Sequence, residues 1–349
     1  MFSTCTPLVA WTERGLYCSK GGFYIDPHRT VDHAIVTHAH SDHARKGSKN
    51  YYCESSGLGL LRARLGKHIQ ASGVPYGEAF ILGDVRVSFH SAGHILGSAQ
   101  VRIQSGADVW VISGDYKREL DPSCEPFEVV PCDTFITEAT FGTPKYVWNK
   151  NQDYGLQIYN WWKQNSQKGK NSILFGYSLG KAQRILALLA PYAERPVVIY
   201  QTITELTECY RREGRRLAPT RDLATFGENE MIQGELILAP PSILKEKLRD
   251  QLGEYETAFA SGWMAGEVSG RSYGNYRGYD QGFVISDHAD WNDINQTIAE
   301  TGAKRIFVLH RTNGALIRHL RQKGLEAHPV DALTLRKYQS IHEVNLSLF

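Results

Sequence analysis

The 349-residue chain lacks most features that would classify it at a glance. Its six cysteines (Cys5, Cys18, Cys53, Cys124, Cys132 and Cys209) are scattered and form no C-x-x-C pair. That excludes a zinc ribbon or a disulfide scaffold and suits a reducing compartment. No apolar run approaches the length of a membrane span. The opening M-F-S-T-C-T-P-L-V-A-W-T-E-R has no charged region followed by a long apolar one, so no secretory leader is expected. Together these predict a cytoplasmic protein with no membrane partner. Charge of one sign is also scarce: the formal net charge is +2, so a polyanion site would need a local concentration of cations. One such run is Y-R-R-E-G-R-R-L-A-P-T-R, with Arg211, Arg212, Arg215, Arg216 and Arg221; taken alone it reads first as a solvated helix face. Internal repeats and low-complexity tracts are absent.

What is present is ordinary globular composition, 42% hydrophobic and 22% charged, in a chain long enough for two lobes. Up to about residue 150 it reads as short strands between glycine turns, among them F-Y-I-D, A-I-V-T-H, V-R-V-S-F-H and V-W-V-I-S. D-T-F-I-T-E, ending at Glu138, closes this part with an acid at a strand end. Helices and strands then alternate, which predicts a parallel α/β lobe. A helix over Tyr154–Lys168, strand N-S-I-L-F-G, a helix from Lys181 and strand P-V-V-I-Y begin it; a helix is also expected over Ile243–Leu252. From about residue 282 the chain returns with G-F-V-I-S, a helix from Trp291 and strand R-I-F-V-L. The simplest organisation is one domain, residues 1–150 and 282–349, interrupted by a second over 151–281.

Positions 36–44, V-T-H-A-H-S-D-H-A, carry the chemistry. Imidazole and carboxylate are ligands for first-row metals. On an extended segment His38 and His40 point to one side, and a turn at Ser41–His43 would swing Asp42 and His43 toward a second ion. Further ligands are expected at strand ends: His94 in S-A-G-H-I-L-G-S, Asp115 in S-G-D-Y and His310 in L-H.

H-A-H-S-D-H, A-G-H and S-G-D resemble the metallo-β-lactamase superfamily, and Asp26, ending an early strand, fits the same pattern. E-A-T-F-G from Glu138, G-Y-S-L-G-K-A-Q-R from Gly176 and S-D-H-A-D around His288 are similar to the β-CASP branch, which processes nucleic acids. The resemblance covers essentially the whole chain, and G-L-Y-C-S-K-G-G-F-Y-I-D-P looks most like bacterial DNA-ligase-associated exonucleases. It implies an αββα sandwich with an inserted parallel α/β domain and two divalent ions, zinc first and manganese second. Carried over, His38, His40 and His94 hold one ion, Asp42, His43 and His310 the other, and Asp115 bridges them, while Asp26 orients a ligand. Relatives commonly follow the last histidine with glycine; here R-T-N-G follows, leaving Arg311 beside the site as a phosphate contact or turned to solvent.

The implied reaction is phosphodiester hydrolysis by a hydroxide that two metals activate, with His288 as general acid oriented by Glu138. Without the resemblance, His288 reads as a capping residue before the helix at Trp291. Ser178 and Lys181, at a strand-to-helix turn, either cradle a phosphate or are an ordinary turn. Tyr273, Tyr276 and Tyr279 either stack on bases or pack a hinge. The resemblance favours a DNA exonuclease in repair, functionally associated with a ligase or helicase. A ribonuclease or RNA 3′-end-processing enzyme of the same fold is the alternative, and a non-cutting binder ranks below both because every ligand is present.

Overall fold

A computed structural model describes residues 6–227, 230–245, 251–267, 278–309 and 314–334. They form two compact units: Met1–Arg118, Pro126–Pro144 and Ala289–Phe349 make one, and Glu119–Glu125 with Lys145–His288 the other.

The first unit holds two sheets. In one, β1 (Ala10–Thr12), β2 (Gly15–Cys18), β3 (Phe23–Ile25), β4 (His33–Ile35), β5 (Asn50–Glu54) and β6 (Ala71–Val74) lie in sequence order. Helix α1 (Leu58–Leu65) precedes β6. The other has the order β19-β18-β11-β10-β9-β8-β7, from β7 (Ala79–Leu82), β8 (Val85–Ser91), β9 (Ala99–Ser105), β10 (Asp108–Ile112), β11 (Thr134–Thr137), β18 (Arg305–Val308) and β19 (Glu326–Pro329). Alternation sets the core: in β8, Val87 and Phe89 face inward while Arg86 is exposed. Leu16, Ile25 and Ile35 of the first sheet share one cluster with Val87, Val101, Trp110, Ile136 and Phe307 of the second. Each such side chain contributes about 1.5–3 kcal/mol by leaving water.

Helices cover the outer faces, which makes the sandwich αββα. Leu61 and Leu65 of α1 pack with Ala34, Val36 and Tyr51. Ile294 and Ile298 of α5 (Trp291–Thr301), with Leu316 and Leu320 of α6 (Gly314–Gln322), pack on Val111, Phe135 and Ile306. The side chain of Asp290 caps α5 by accepting from the Asp293 N–H at 2.8 Å, and Gly302 ends it in the left-handed region. Asp290 therefore fills the capping role for which His288 was a candidate.

The second unit is a six-stranded, wholly parallel sheet of order β14-β13-β15-β12-β16-β17. Its strands are β12 (Asn171–Phe175), β13 (Val197–Ile199), β14 (Thr220–Asp222), β15 (Leu236–Ala239), β16 (Tyr255–Ala260) and β17 (Gln281–Phe283). Helices α2 (Tyr154–Gln167), α3 (Lys181–Leu189) and α4 (Gln201–Arg212) alternate with them. Every residue of β12 and β15 is buried, as expected when helices cover both faces. Strand β17 pairs with β16, so Q-G-F belongs to this sheet and the chain returns to the first unit at Ala289, later than residue 282. Where a helix over Ile243–Leu252 is expected, Pro241–Lys245 is 3-10 helix and 246–250 lie outside the described residues. Tyr279 packs against Phe175 and Phe259, with ring centroids 5.2 and 5.3 Å away, at the margin of this unit's core; Tyr273 and Tyr276 lie outside the described residues. No helix among the described residues is long and apolar enough to cross a membrane.

Candidate metal centre

Strand direction gathers the site. β3 and β4 run parallel, as do β10 and β11, and β8 is antiparallel to β9, which is antiparallel to β10. The segments leaving β3, β4, β8, β10 and β11 carry Asp26, His38–His43, His94, Asp115 and Glu138, so every one follows the C-terminal end of a strand. That end is where open α/β sheets leave room for ligands.

Side-chain atoms of His38, His40, His94 and Asp115 lie within 4.8 Å of one another. His40 Nδ1 is 3.0 Å from His38 Nε2 and 3.1 Å from His94 Nε2. Nitrogens this close share at most one proton per pair. Asp115 Oδ2 stands 3.5 Å from His38 Nε2, 3.9 Å from His94 Nε2 and 3.4 Å from His43 Nε2. One carboxylate oxygen thus adjoins both the three-imidazole cluster and His43. Asp42, 70% exposed at its side chain, lies 3.7 Å from His43 Nε2. The donor set fits first-row divalent metal ions: His38, His40, His94 and Asp115 around one, Asp115, Asp42 and His43 around a second. His310 and Arg311 lie outside the described residues.

The surrounding groups fix these donors. Asp26 accepts the Thr37 N–H at 2.8 Å through Oδ1, and through Oδ2 the Thr37 hydroxyl at 2.6 Å; the same Oδ2 lies 2.7 Å from His43 Nδ1. His43 Nε2 is left facing Asp115 and Asp42. The Thr37 hydroxyl also lies 3.0 Å from His38 Nδ1, and the Thr37 carbonyl accepts from Ala99 N–H at 2.8 Å, joining the loop to β9. Sequence reading overlooked Thr37, although its place between Val36 and His38 was the available signal. Gly114 has φ +56°, and a Cβ there would sit 2.8 Å from the Thr37 Cβ, so only glycine lets Asp115 approach. Burial holds His38 well below the usual imidazole range, with His43 adding to the effect. Burial also disfavours charge on His43, but Asp115 and Asp26 outweigh it and raise that imidazole well above its usual value.

Glu138 is buried and braces the same edge. Its Oε1 accepts from Tyr116 N–H, next to Asp115, at 2.7 Å, and its Oε2 from the Thr140 hydroxyl at 2.6 Å. A cavity of about 670 Å³ adjoins the centre, lined by Asp26, Asp42 and His43 together with Leu16, Ile25 and Val308.

The second unit treats its expected phosphate contacts differently. His288 is half-buried, its backbone N–H donated to Ser286 Oγ at 3.0 Å. Lys181 is buried, its ammonium 2.6 Å from the Ile285 carbonyl and 2.9 Å from Asp287. It therefore ties α3 to the strand-end segment and does not present an outward cation, which corrects the phosphate-cradle expectation. Ser178 Oγ lies 2.8 Å from Thr202 Oγ1. Buried Arg184 is bonded to the Ser286 carbonyl and pairs with Asp121, Asp287 and Glu119. In the arginine run, Arg211 pairs with Glu208, Arg215 with Glu125, and Arg221 lies 3.7 Å over the Phe226 ring; Arg212 and Arg216 are exposed.

A ββ sandwich with outer helices, a histidine-rich cluster at its strand ends and an interrupting parallel α/β unit defines a class. The chain has the fold of the metallo-β-lactamase superfamily, with the insertion of its β-CASP branch. It is 31% identical over 319 residues to a probable DNA ligase of Opitutus terrae, covering 90% of this chain and 30% of that protein. It is 30% identical over 122 residues to the endoribonuclease YSH1 of Eremothecium gossypii, covering 34% of this chain and 15% of that one. The chain thus spans less than a third of either relative. Among solved structures, a protein of unknown function from Enterococcus faecalis V583 matches with a TM-score of 0.53 at 12% identity, covering 79% of this chain and 74% of that one. No protein-family model matches the chain.

Proposed function

We propose that the chain is a metal-dependent phosphodiesterase acting on nucleic acid, and specifically a DNA exonuclease working in strand repair in the cytoplasm. The observation that carries it is the meeting of His38, His43 and His94 around one oxygen of Asp115, with His40 in the same cluster. Two ions bound there, zinc by preference and manganese as the substitute, supply a strongly acidified water and neutralise phosphate charge. The chain's own contribution is orientation: Asp26 and Thr37 aim His43 and His38, and Glu138 fixes the backbone beside Asp115. Proton delivery to the departing sugar oxygen is assigned to His288, on the resemblance, because its imidazole is not among the ligands.

DNA is preferred because nine-tenths of the chain aligns within a longer relative named as a DNA ligase. The name of that relative points to strand joining, so a ligase or helicase is the proposed functional associate. The second reading, an RNA-cutting enzyme, is favoured by the endoribonuclease match.

The test incubates purified protein, loaded with Zn²⁺ or Mn²⁺, with end-labelled single- and double-stranded DNA and matching RNA. DNA shortened from its ends, abolished by Asp115→Ala, is expected. RNA cut much faster than DNA would favour the second reading, and no cutting of either by metal-loaded protein would end both. His288→Ala is expected to keep its metal while losing turnover.

A further inference from the structure

The cations that sequence pattern nominates for phosphate are largely engaged inside the second unit, whereas another set stands open beside the metal loop. A cleft of about 440 Å³ on the sandwich is lined by Arg29, Arg45, Lys46 and Arg64, with His28 and Ser41, and by no acidic side chain among the described residues. Four cations without an acid form a strong local excess in a chain of net charge +2. Arg45, Lys46 and Arg64 have no carboxylate within ion-pair distance among the described residues. Arg29 has only a loose contact, 4.0 Å from an exposed Glu13.

The cleft neighbours the centre. His28 and Arg45 line both it and the larger cavity that reaches Asp42 and His43. Its frame is rigid: buried Tyr51 donates to the Arg45 carbonyl at 2.7 Å and accepts from Ser48 N–H at 2.9 Å. Arg64 rides on α1, whose Leu61 and Leu65 pack in one cluster with Ala44 and Tyr51. Cations held on two packed elements, next to a site for phosphodiester cleavage, suit a repeating anion better than a single small one.

We infer that this cleft holds backbone phosphates of the substrate strand on its way from the metal centre, so that part of the nucleic-acid path runs over the sandwich itself. The inference rests on the nuclease reading above. Arg45 offers a planar fork suited to a phosphate, and Lys46 a mobile point charge.

The experiment measures binding of labelled single-stranded phosphorothioate oligonucleotides of increasing length to the metal-loaded full chain across a salt series. Lys46→Ala, Arg64→Ala and the double variant are compared with Lys46→Arg and with a distant control, Lys304→Ala. Each neutralised contact is expected to flatten the logarithmic salt slope by about 0.7, the double variant by about 1.4. Lys46→Arg and Lys304→Ala are expected to keep the wild-type slope. Metal content and thermal midpoint report on folding for every variant. Unchanged slopes in folded variants of a protein that still cuts would overturn the inference alone. Affinity governed by a terminal phosphate and indifferent to length would overturn it too, in favour of an end-binding pocket. A wild-type protein that neither binds nor cuts nucleic acid would overturn the nuclease reading with it.

Discussion

Replacing Asp26 by asparagine tests how the second metal position is built. Asp26 has φ +45°, a backbone region that asparagine tolerates and most other residues do not, so Asp26→Asn removes charge without adding strain. The amide oxygen can still accept from Thr37 N–H, but an NH₂ group now faces the Thr37 hydroxyl and His43 Nδ1, where Oδ2 stood 2.6 and 2.7 Å away. An imidazole facing a donor favours the tautomer with Nδ1 unprotonated, which puts its proton on Nε2, the atom aimed at Asp115 and Asp42. The lost charge-assisted hydrogen bond is worth about 1.5–3 kcal/mol. Mutation of such an orienting partner typically lowers metal affinity about 10–100-fold, which is the same size of effect. Competition titration against a chromogenic chelator reads the affinity of each position, and urea denaturation of metal-free protein reads stability. Weakening of one of two positions is expected. Two positions at wild-type affinity, with unchanged metal-free stability, would refute the orienting role of Asp26.

Asp115→Ala removes the oxygen that adjoins both donor groups, so elemental analysis is expected to show substoichiometric metal in a folded protein. Gly114→Ala forces a Cβ to 2.8 Å from Thr37 at φ +56° and is expected to cost about 1–3 kcal/mol, with metal occupancy falling in step. Arg184→Ala removes the cation that Asp121 and Asp287 share, with Lys181 remaining beside Asp287; a loss of about 3 kcal/mol is expected, read by urea unfolding through Trp161 and Trp162, with Arg184→Lys intermediate. Burial pushes the Cys53 and Cys132 thiols up to about 12. Neither should react with a thiol reagent at pH 8 before denaturation, and rapid labelling of either in native protein would contradict that burial.

Alternating apolar strands, glycine turns and a switch to helix–strand alternation made the two-unit organisation legible before any coordinates. The switch marks where parallel pairing begins, although G-F-V-I-S carried no mark of which sheet it joins. Gln281–Phe283 pairs with β16 because register and neighbour, not local pattern, assign a strand to a sheet. The arginine run and Lys181 show a similar limit. Sequence displays their charge, but only packing reveals that Glu125, Glu208 and Asp287 neutralise much of it.

By itself, the sequence determined the donor chemistry: imidazoles and carboxylates at strand ends, with H-x-H spacing that places neighbouring rings on one side. It could do so because those properties belong to residue type and to the two-residue period of extended backbone. The tertiary structure decided which donors share an oxygen, that Asp26 and Thr37 aim them, and that Arg45 and Lys46 stand exposed while Lys181, Arg184 and Arg215 are paired. Those outcomes depend on which elements come together through long-range packing, and no local stretch of chain encodes the identity of a neighbour brought from far along the sequence.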